Sequence, residues 1–217
     1  MKVGILGTGN VGQMLGTGFV KLGHDVKIGS RDPDSDKMKA WVAKNGVHAS
    51  VGTFAEAASF AETAVLATLW AGTENALRLA GPENLASKIV IDTTNPLSSA
   101  KPGEPLSLTL GYSNSAGEQV QRWLPKSKVV KAFNIVGNAH MFHPEFPNGP
   151  PDMFICGNDA GAKSKVAEIL SAFGWPTIDI GGIEGARLLE PLAMLWITYA
   201  FQTGSWNHAF KLLRKTQ

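Results

Sequence analysis

Residues 3–12 read Val-Gly-Ile-Leu-Gly-Thr-Gly-Asn-Val-Gly, and this stretch decides the fold. It begins as a short apolar run typical of a buried strand, passes through a G-x-G-x-x-G pattern and leads into apolar residues at helical spacing. Glycines between a strand and a helix permit a tight turn, close approach of a pyrophosphate and tight helix–strand packing. The stretch therefore predicts a dinucleotide site built on Gly7, Gly9 and Gly12, with the helix N–H groups facing the phosphates.

The composition excludes several classes of protein. The chain has 217 residues, of which 44% are apolar and 18% charged, as in ordinary globular proteins. The net charge is +2 and the basic residues are scattered, which argues against a nucleic-acid surface. No stretch reaches the roughly 18 apolar residues of a membrane span, and the N-terminus lacks the pattern of a signal peptide. The single cysteine leads us to expect a reducing, cytoplasmic setting.

Short apolar runs alternate with helical patterns along most of the chain, which indicates βαβ units. We expect an α/β, Rossmann-type, doubly wound and mostly parallel sheet of about eight strands, with a short C-terminal helical cap. The predicted strands are 2–6, 25–28, 47–51, 63–67, 88–91, 128–132, 153–156 and 177–180. The predicted helices are 11–22, 35–44, 54–60, 73–80, 115–124 and 161–173, the fifth of them opened by a capping box of Ser115 and Glu118.

The predicted domains are a dinucleotide-binding Rossmann domain, residues 1–182, and a mostly helical segment, residues 183–217. Because this segment is very apolar in its middle, we expect it to pack on the cleft or at a homodimer interface. We expect its aromatic and aliphatic side chains to serve core or dimer packing.

The end of the second predicted strand indicates which dinucleotide is bound. An NAD site usually carries Asp or Glu there, for the ribose 2′-hydroxyl. Here the strand runs into Ser30-Arg31, a hydroxyl and a guanidinium that suit a 2′-phosphate, whereas Asp25 lies too early for the ribose. We therefore expect NADP(H).

With these residues in place, the chain resembles the NADP oxidoreductases that work with the deazaflavin coenzyme F420. It is equally similar to the cytosolic domain of the six-transmembrane metalloreductases. The resemblance covers nearly the whole chain, and its most specific stretches are residues 28–31, 64–70, 91–96, 113–118 and 129–134.

The resemblance implies a set of cofactor-binding residues. Thr8, Gly9, Asn10 and Val11 would hold the pyrophosphate, and Ser30 and Arg31 the 2′-phosphate. The nicotinamide ribose would be bordered by Thr68, Leu69 and Trp70. The nicotinamide side of the cleft would be formed by Asn95 and Pro96, and its floor by Ala132, Phe133 and Asn134. These last three groups follow predicted strands at their carboxyl ends, where ligands of open α/β sheets bind. The resemblance also implies an alternative for the tail segment, in which its aromatic and aliphatic side chains border a second ring.

Hydride transfer between NADPH and a flavin-like ring needs no protein acid or base, so we expect no catalytic side chain. The expected acceptor is a small molecule, either F420 or another flavin-type compound such as FMN or FAD. Fewer than 40 residues follow the last predicted strand, which favours an open cleft for a planar ring. Two alternatives stay open: a ferric or flavin reductase, and an NADPH-binding sensor module without turnover.

Other candidate sites carry weaker signals. His140 and His143, with Glu145, have a spacing that suits a metal, but their proline-rich loop is a poor ligand scaffold, so we predict no metal site and expect a lid or subunit contact. Residues 111–115 nearly match a nucleophile elbow but lack its last glycine, which argues against a hydrolase. Cys156 is expected to be a buried, apolar-like side chain.

Overall fold

The computed structural model describes residues 1–98 and 105–215, so the last two residues of the predicted tail segment lie outside the described residues. The strands are β1 (Lys2–Leu6), β2 (Asp25–Gly29), β3 (Ala49–Gly52), β4 (Thr63–Leu66), β5 (Ile89–Asp92), β6 (Lys128–Lys131), β7 (Met153–Gly157) and β8 (Thr177–Asp179). The α-helices are α1 (Asn10–Lys21), α2 (Asp36–Asn45), α3 (Phe54–Phe60), α4 (Trp70–Ala80), α5 (Ala116–Trp123), α6 (Ala160–Ala172) and α7 (Ala186–Thr203).

The strands form one sheet in the order β3-β2-β1-β4-β5-β6-β7-β8. All neighbouring strands are parallel except β6 and β7, which run antiparallel. The chain winds outward from β1 in one direction to β3 and then in the other direction from β4. This doubly wound arrangement confirms the predicted fold class, and it places a crevice between β1 and β4, where the winding reverses.

Two apolar clusters cover the two faces of the sheet, because successive side chains of a strand point to opposite faces. Val3 and Ile5 of β1 belong to the cluster that includes Leu15 of α1, whereas Leu6 belongs to the cluster that includes Leu77 of α4. The central strands are buried on both faces and therefore read as continuous apolar runs in the sequence.

Two glycines inside α1 allow aromatic side chains to pack against its backbone. A Cβ atom at Gly16 would lie 2.9 Å from the Trp41 ring, and one at Gly18 would lie 2.7 Å from the Phe173 ring. Glycine costs a helix about 1 kcal/mol relative to alanine. The close packing of Trp41 and Phe173 on the helix, both buried, offsets that cost.

Several boundaries differ from the prediction. Residues 46–48 form a 3-10 turn, so β3 begins at Ala49. Helix α4 begins at Trp70 rather than at Thr73, whose hydroxyl bonds back to the carbonyl of Leu69 within the first turn. Ser115 caps α5 by accepting a hydrogen bond from the N–H of Glu118, which is one half of the predicted capping box. The carboxylate of Glu118 accepts from the Ser115 hydroxyl at 2.7 Å instead of from the Ser115 backbone N–H.

The tail is mostly helical, as expected: a 3-10 turn (Ile183–Gly185) leads into α7, and the helix ends at Thr203. Gly204 follows with a φ of 67°, the left-handed conformation that commonly ends helices. The chain then turns back along α7, where the indole N–H of Trp196 donates to the carbonyl of His208 at 2.8 Å. Across residues 1–98 and 105–215, no helix has the length and apolar character needed to cross a membrane.

Candidate functional site

The sequence-predicted site residues follow a single row of the sheet. In the strand register, Leu6 of β1 lies opposite Leu66 of β4, which lies opposite Asp92 of β5, which lies opposite Lys131 of β6. On the other side, Leu6 lies opposite Gly29 of β2. The segments that leave these five residues therefore emerge together at the carboxyl edge of the sheet. The structure thus brings all the predicted segments to one edge.

The glycine turn after β1 is closely packed at two of its three glycines. Gly7 has a φ of 133°, and a Cβ atom there would collide with the carbonyl oxygen of Ala67. A Cβ atom at Gly12 would collide with the carbonyl oxygen of Gly7, so this residue permits the close approach of helix and strand. Gly9 is different, because a Cβ atom there would meet nothing within 4 Å. Its outer side faces open space above the turn, which a phosphate group fits.

The start of α1 is open to an anion. Gly9 is the N-cap residue and offers no side chain, and the first turn contains no acidic residue. The side-chain amide of Gln13 donates to the carbonyl of Thr8 at 2.9 Å and so fixes the turn, while Asn10 stays exposed and Val11 half-buried. Unpaired N–H groups and the positive end of the helix dipole favour negative charge.

Ser30 and Arg31 leave β2 beside this turn. Ser30 is 6% exposed, and its hydroxyl oxygen accepts a hydrogen bond from the N–H of Asp32 at 3.0 Å, which leaves the hydroxyl hydrogen free to donate. Arg31 is exposed. Asp25 lies at the opposite end of β2, where it pairs with His48 at 2.8 Å, so it has no place in the site.

The segment after β4 presents mixed surroundings. The hydroxyl of Thr68 lies 2.9 Å from that of Thr73, and the side chain of Leu69 is 87% exposed. The ring of Trp70 stacks on Trp123 of α5 with centroids 5.5 Å apart. The indole of Trp70 is therefore engaged between two helices.

Two asparagines join the segments that follow β5 and β6. The amide of Asn95 donates to the carbonyl of Asn134 at 2.8 Å, and the amide of Asn134 donates to the side-chain oxygen of Asn95 at 3.0 Å. Asn134 also donates to the carbonyl of Leu189 on α7 at 3.0 Å. This reciprocal pair, with buried Pro96 beside it, holds the two strand ends together.

The floor of the edge is apolar and backbone-strained at one point. Ala132 and Phe133 are buried, and Phe133 has a φ of 62°, which is uncommon for a bulky residue. Its ring meets the edge of Phe173 with centroids 5.7 Å apart. The uncommon backbone conformation of Phe133 therefore occurs where β6 ends and where its ring packs against Phe173.

Three charged side chains that sequence reasoning missed are buried at the same edge. Lys131 Nζ lies 2.9 Å from Asp92 Oδ2 and 3.0 Å from Glu190 Oε1, and each of the three side chains is at most 1% exposed. Burial disfavours the ammonium, but the two carboxylates outweigh it and hold the pKa of Lys131 above its usual value. A lysine and an aspartate at the ends of otherwise apolar strands were the available signal.

The remaining candidates lie in ordinary surroundings. Cys156 is buried, and burial raises the pKa of its thiol to about 12, so the thiolate is not available at neutral pH. His140 lies 3.1 Å from the side-chain oxygen of Asn207, and His143 packs its ring against Phe142. Within the two described ranges, no group of three or more His, Cys, Asp or Glu side chains has a metal-binding arrangement.

Comparison with known proteins adds to this geometry. The family described as NADP oxidoreductase coenzyme F420-dependent matches residues 2–96. The F420-dependent NADP reductase of Methanocaldococcus jannaschii is 31% identical over 206 residues, which cover 91% of each chain. Metalloreductase STEAP3 of Rattus norvegicus is 32% identical over 89% of this chain, but the chain spans only 37% of that protein's length.

Solved structures agree. A protein of Arthrobacter sp. FB24, assigned as an F420-dependent NADP reductase, is 38% identical with a TM-score of 0.92, covering 99% of this chain and 100% of that one. The imine reductase of Streptomyces aurantiacus, at 20% identity and a TM-score of 0.66, covers 94% of this chain and 64% of that one and shares the fold alone. Together with the strand-end site, these likenesses over nearly the full chain show that it belongs to the F420-dependent NADP oxidoreductase family.

Proposed function

We propose that this oxidoreductase transfers a hydride between NADPH and a deazaflavin of the F420 type. The observation that carries the proposal is the single strand-end row from which the open glycine turn, the Ser30-Arg31 pair and the asparagine pair all emerge. The name of the archaeal relative, an F420-dependent NADP reductase, supports the choice of acceptor.

The glycine turn would hold the pyrophosphate of NADP(H). The uncapped start of α1 supplies N–H groups, and the open side of Gly9 lets the phosphates approach the backbone. Thr8, Asn10 and Val11 would contribute their backbone to the same cradle. Ser30 would donate its free hydroxyl hydrogen to the 2′-phosphate, and Arg31 would pair with that phosphate through its guanidinium.

The nicotinamide half would lie over the ends of β4, β5 and β6. Thr68, Leu69 and Trp70 would border its ribose, while Asn95, Pro96 and the buried segment Ala132, Phe133 and Asn134 would form the side and floor. When bound, the nicotinamide supplies the hydride chemistry. The chain's own residues bind, orient and exclude water, since no side chain is required to move a proton at the reacting carbon.

The tail segment, residues 183–217, would form a second unit that borders the acceptor and makes a homodimer contact. Four large apolar side chains of α7 are more than half exposed, and a groove of about 520 Å³ lies between this helix and Pro105-Leu106; the four are Leu188, Leu195, Tyr199 and Phe201. Sedimentation of the protein gives the oligomeric state, and we expect Leu195→Glu to convert a dimer into a monomer. A wild-type monomer would refute the dimer while leaving the hydride-transfer proposal intact.

We propose a cytoplasmic location, because the single cysteine is buried and free. Such a chain gains nothing from an oxidising compartment, because it has no disulfide to form internally.

An anaerobic assay tests the function. NADPH is mixed with coenzyme F420, FMN, FAD or a ferric chelate, and the absorbance of the reduced nicotinamide is followed. We expect fast oxidation with F420 and slower or no oxidation with the others. Faster turnover with FMN, FAD or ferric chelate would favour a flavin or ferric reductase. NADPH binding without oxidation by any acceptor would favour a sensor module.

A further inference from the structure

A buried ionic cluster joins the tail helix to the edge of the sheet. Lys131 at the end of β6 contacts Asp92 at the end of β5 and Glu190 of α7, as described above. Glu190 also accepts hydrogen bonds from the N–H groups of Ala116 and Gly117, at 2.9 and 3.0 Å. The cluster therefore connects two strand ends, the start of α5 and the middle of α7.

The same cluster fixes the segment that leads into Asn95. Lys131 Nζ donates to the carbonyl of Thr94 at 2.6 Å. The other oxygen of Asp92 accepts hydrogen bonds from the backbone N–H of Thr94 at 2.9 Å and from its hydroxyl at 2.7 Å. Thr94 is thus held at three atoms, and its position sets where Asn95 begins.

The asparagine pair is tied to the adjacent residue of α7. Asn134 donates to the carbonyl of Leu189, immediately before Glu190. Two successive residues of α7 therefore contact the edge of the sheet. Glu190 does so through its carboxylate and Leu189 through its backbone carbonyl. Any shift of α7 at this point would move both contacts.

The surrounding backbone is built closely around the cluster. A Cβ atom at Gly117 would lie 2.7 Å from the Cβ of Ala186 and 3.0 Å from the Cε of Lys131. Helix α5 therefore approaches Lys131 only because residue 117 has no side chain. Buried ion pairs often contribute less stability than apolar residues of similar volume, so stability alone does not account for this arrangement.

We propose that Lys131, Asp92 and Glu190 are positioning residues that hold Asn95 and Asn134, and through them the nicotinamide ring, in register with α7. This inference rests on the proposed function for the location of the nicotinamide. Its consequence is specific: loosening the cluster weakens the part of the binding that depends on the nicotinamide and spares the part that depends on the phosphates.

Titration calorimetry with two probes tests the proposal. NADPH carries the nicotinamide, whereas 2′-phospho-ADP-ribose has the same phosphates and lacks it. For Glu190→Gln we expect the affinity for NADPH to fall about 10-fold, as for loss of a well-placed hydrogen-bonding contact, with the affinity for 2′-phospho-ADP-ribose within about twofold of wild type. Thr94→Val removes only the hydroxyl bond to Asp92. We expect it to lower the ratio of the NADPH affinity to the 2′-phospho-ADP-ribose affinity by about threefold.

Arg187→Gln is the matched control. Arg187 of α7 pairs with Glu118 of α5, its Nε donating to the carboxylate at 2.9 Å, so this variant breaks a tie between the same two helices outside the cluster. We expect it to leave the ratio of the two affinities unchanged. A merely structural role of the cluster predicts equal losses for both probes.

Equal losses for both probes, or no loss for either, in Glu190→Gln would overturn the proposal. If that variant does not fold, Thr94→Val decides alone, and an unchanged ratio overturns the proposal. If the wild type binds NADPH but reduces no acceptor, the proposed function fails, whereas the affinity ratio still tests the positioning role.

Discussion

Helices α1 and α5 both begin at the carboxyl edge of the sheet, but they differ in whether side chains of the protein bind the N–H groups of their first turn. The N-terminus of α5 is closed: Ser115 accepts from the N–H of Glu118, and Glu190 accepts from those of Ala116 and Gly117. The N-terminus of α1 has a glycine at the N-cap and no acidic residue in its first turn. Each helix start favours an anion. At α5 the protein supplies this anion from its own side chains, whereas at α1 we propose that a ligand supplies it.

The comparison also explains where charge is buried. The carboxylate at α5 needs a cation in the same apolar surroundings, and Lys131 provides it. Within the part of the chain that the structure describes, the buried cation is Lys131, and Arg31 beside α1 is exposed, as expected if the anion at α1 arrives with the cofactor. The N-terminus of α5 is closed by the protein's own side chains, whereas we propose that the phosphates of the cofactor close the N-terminus of α1.

Removing the cation of the closed terminus should have the largest effect. Lys131→Met leaves Asp92 and Glu190 buried without their partner, and we expect a loss of about 3–5 kcal/mol in the free energy of unfolding, measured by urea denaturation. The control is Lys126→Met, which removes a lysine from an exposed pair with Glu83. Equal stability of the Lys131 and Lys126 variants would show that the buried charges are not coupled.

Closing the open terminus should affect ligand binding and not the fold. Gly9→Asp adds an N-cap carboxylate where a Cβ atom meets nothing within 4 Å, so thermal stability should stay the same or rise slightly. The new charge lies beside the expected phosphates, and we expect NADPH affinity to fall about 100-fold or more in calorimetry.

Gly9→Asn is the matched control for Gly9→Asp, because it has nearly the same size without the charge. It should weaken NADPH less. If the aspartate variant bound NADPH as tightly as the wild type, the start of α1 would not be the phosphate site.

Arg31 should distinguish the two cofactors. For Arg31→Ala we expect NADPH affinity to fall about 10- to 100-fold, the range for a lost charge-assisted hydrogen bond, while NADH affinity changes little. Lys44→Ala, which removes an exposed cation from the far end of α2, serves as the control. Equal losses for NADPH and NADH in Arg31→Ala would remove the 2′-phosphate from this position.

The smallest expected effect concerns the ion pair between Arg187 and Glu118 at the start of α5. The hydrogen bond from Arg187, together with that from Ser115, holds the pKa of Glu118 below its ordinary value of 4.5 despite partial burial. A lowered carboxyl pKa stabilises the fold above the ordinary value and loses that contribution as the pH falls through the folded pKa. Arg187→Gln should therefore lower Tm slightly at pH 7, and the difference from wild type should shrink below about pH 4. A difference independent of pH would contradict the assignment.

The fold could be predicted from the sequence because its signals are local. Strand runs, glycine spacing and the alternation of elements each lie within a few residues, and all eight predicted strands are present. The capping box of Thr53 and Glu56 was equally readable, with the same spacing as Ser115 and Glu118, but was not predicted. The early start of α4 at Trp70 was not predicted, because its first turn is marked by the bond from the Thr73 hydroxyl to the carbonyl of Leu69 and not by the apolar pattern.

The site could be predicted only in part. Its segments were placed at strand ends, where the topology brings them together, but their mutual contacts are not local. Lys131 and Glu190 are far apart in sequence and meet only because α7 returns over the sheet. For the same reason the stacking of Trp70 on Trp123 and the bond from Asn134 to Leu189 could not be read from spacing.

Direct transfer of the hydride is the most direct test of the central claim. NADPH carrying deuterium at both positions of its nicotinamide C4 is mixed anaerobically with the wild-type protein and coenzyme F420, and the mass of the reduced deazaflavin is measured by mass spectrometry. If the strand-end edge brings the two rings together, each reduced deazaflavin molecule contains one deuterium. With deuterated NADH we expect the same product to form much more slowly. NADPH that binds but passes no deuterium to the deazaflavin would contradict the claim.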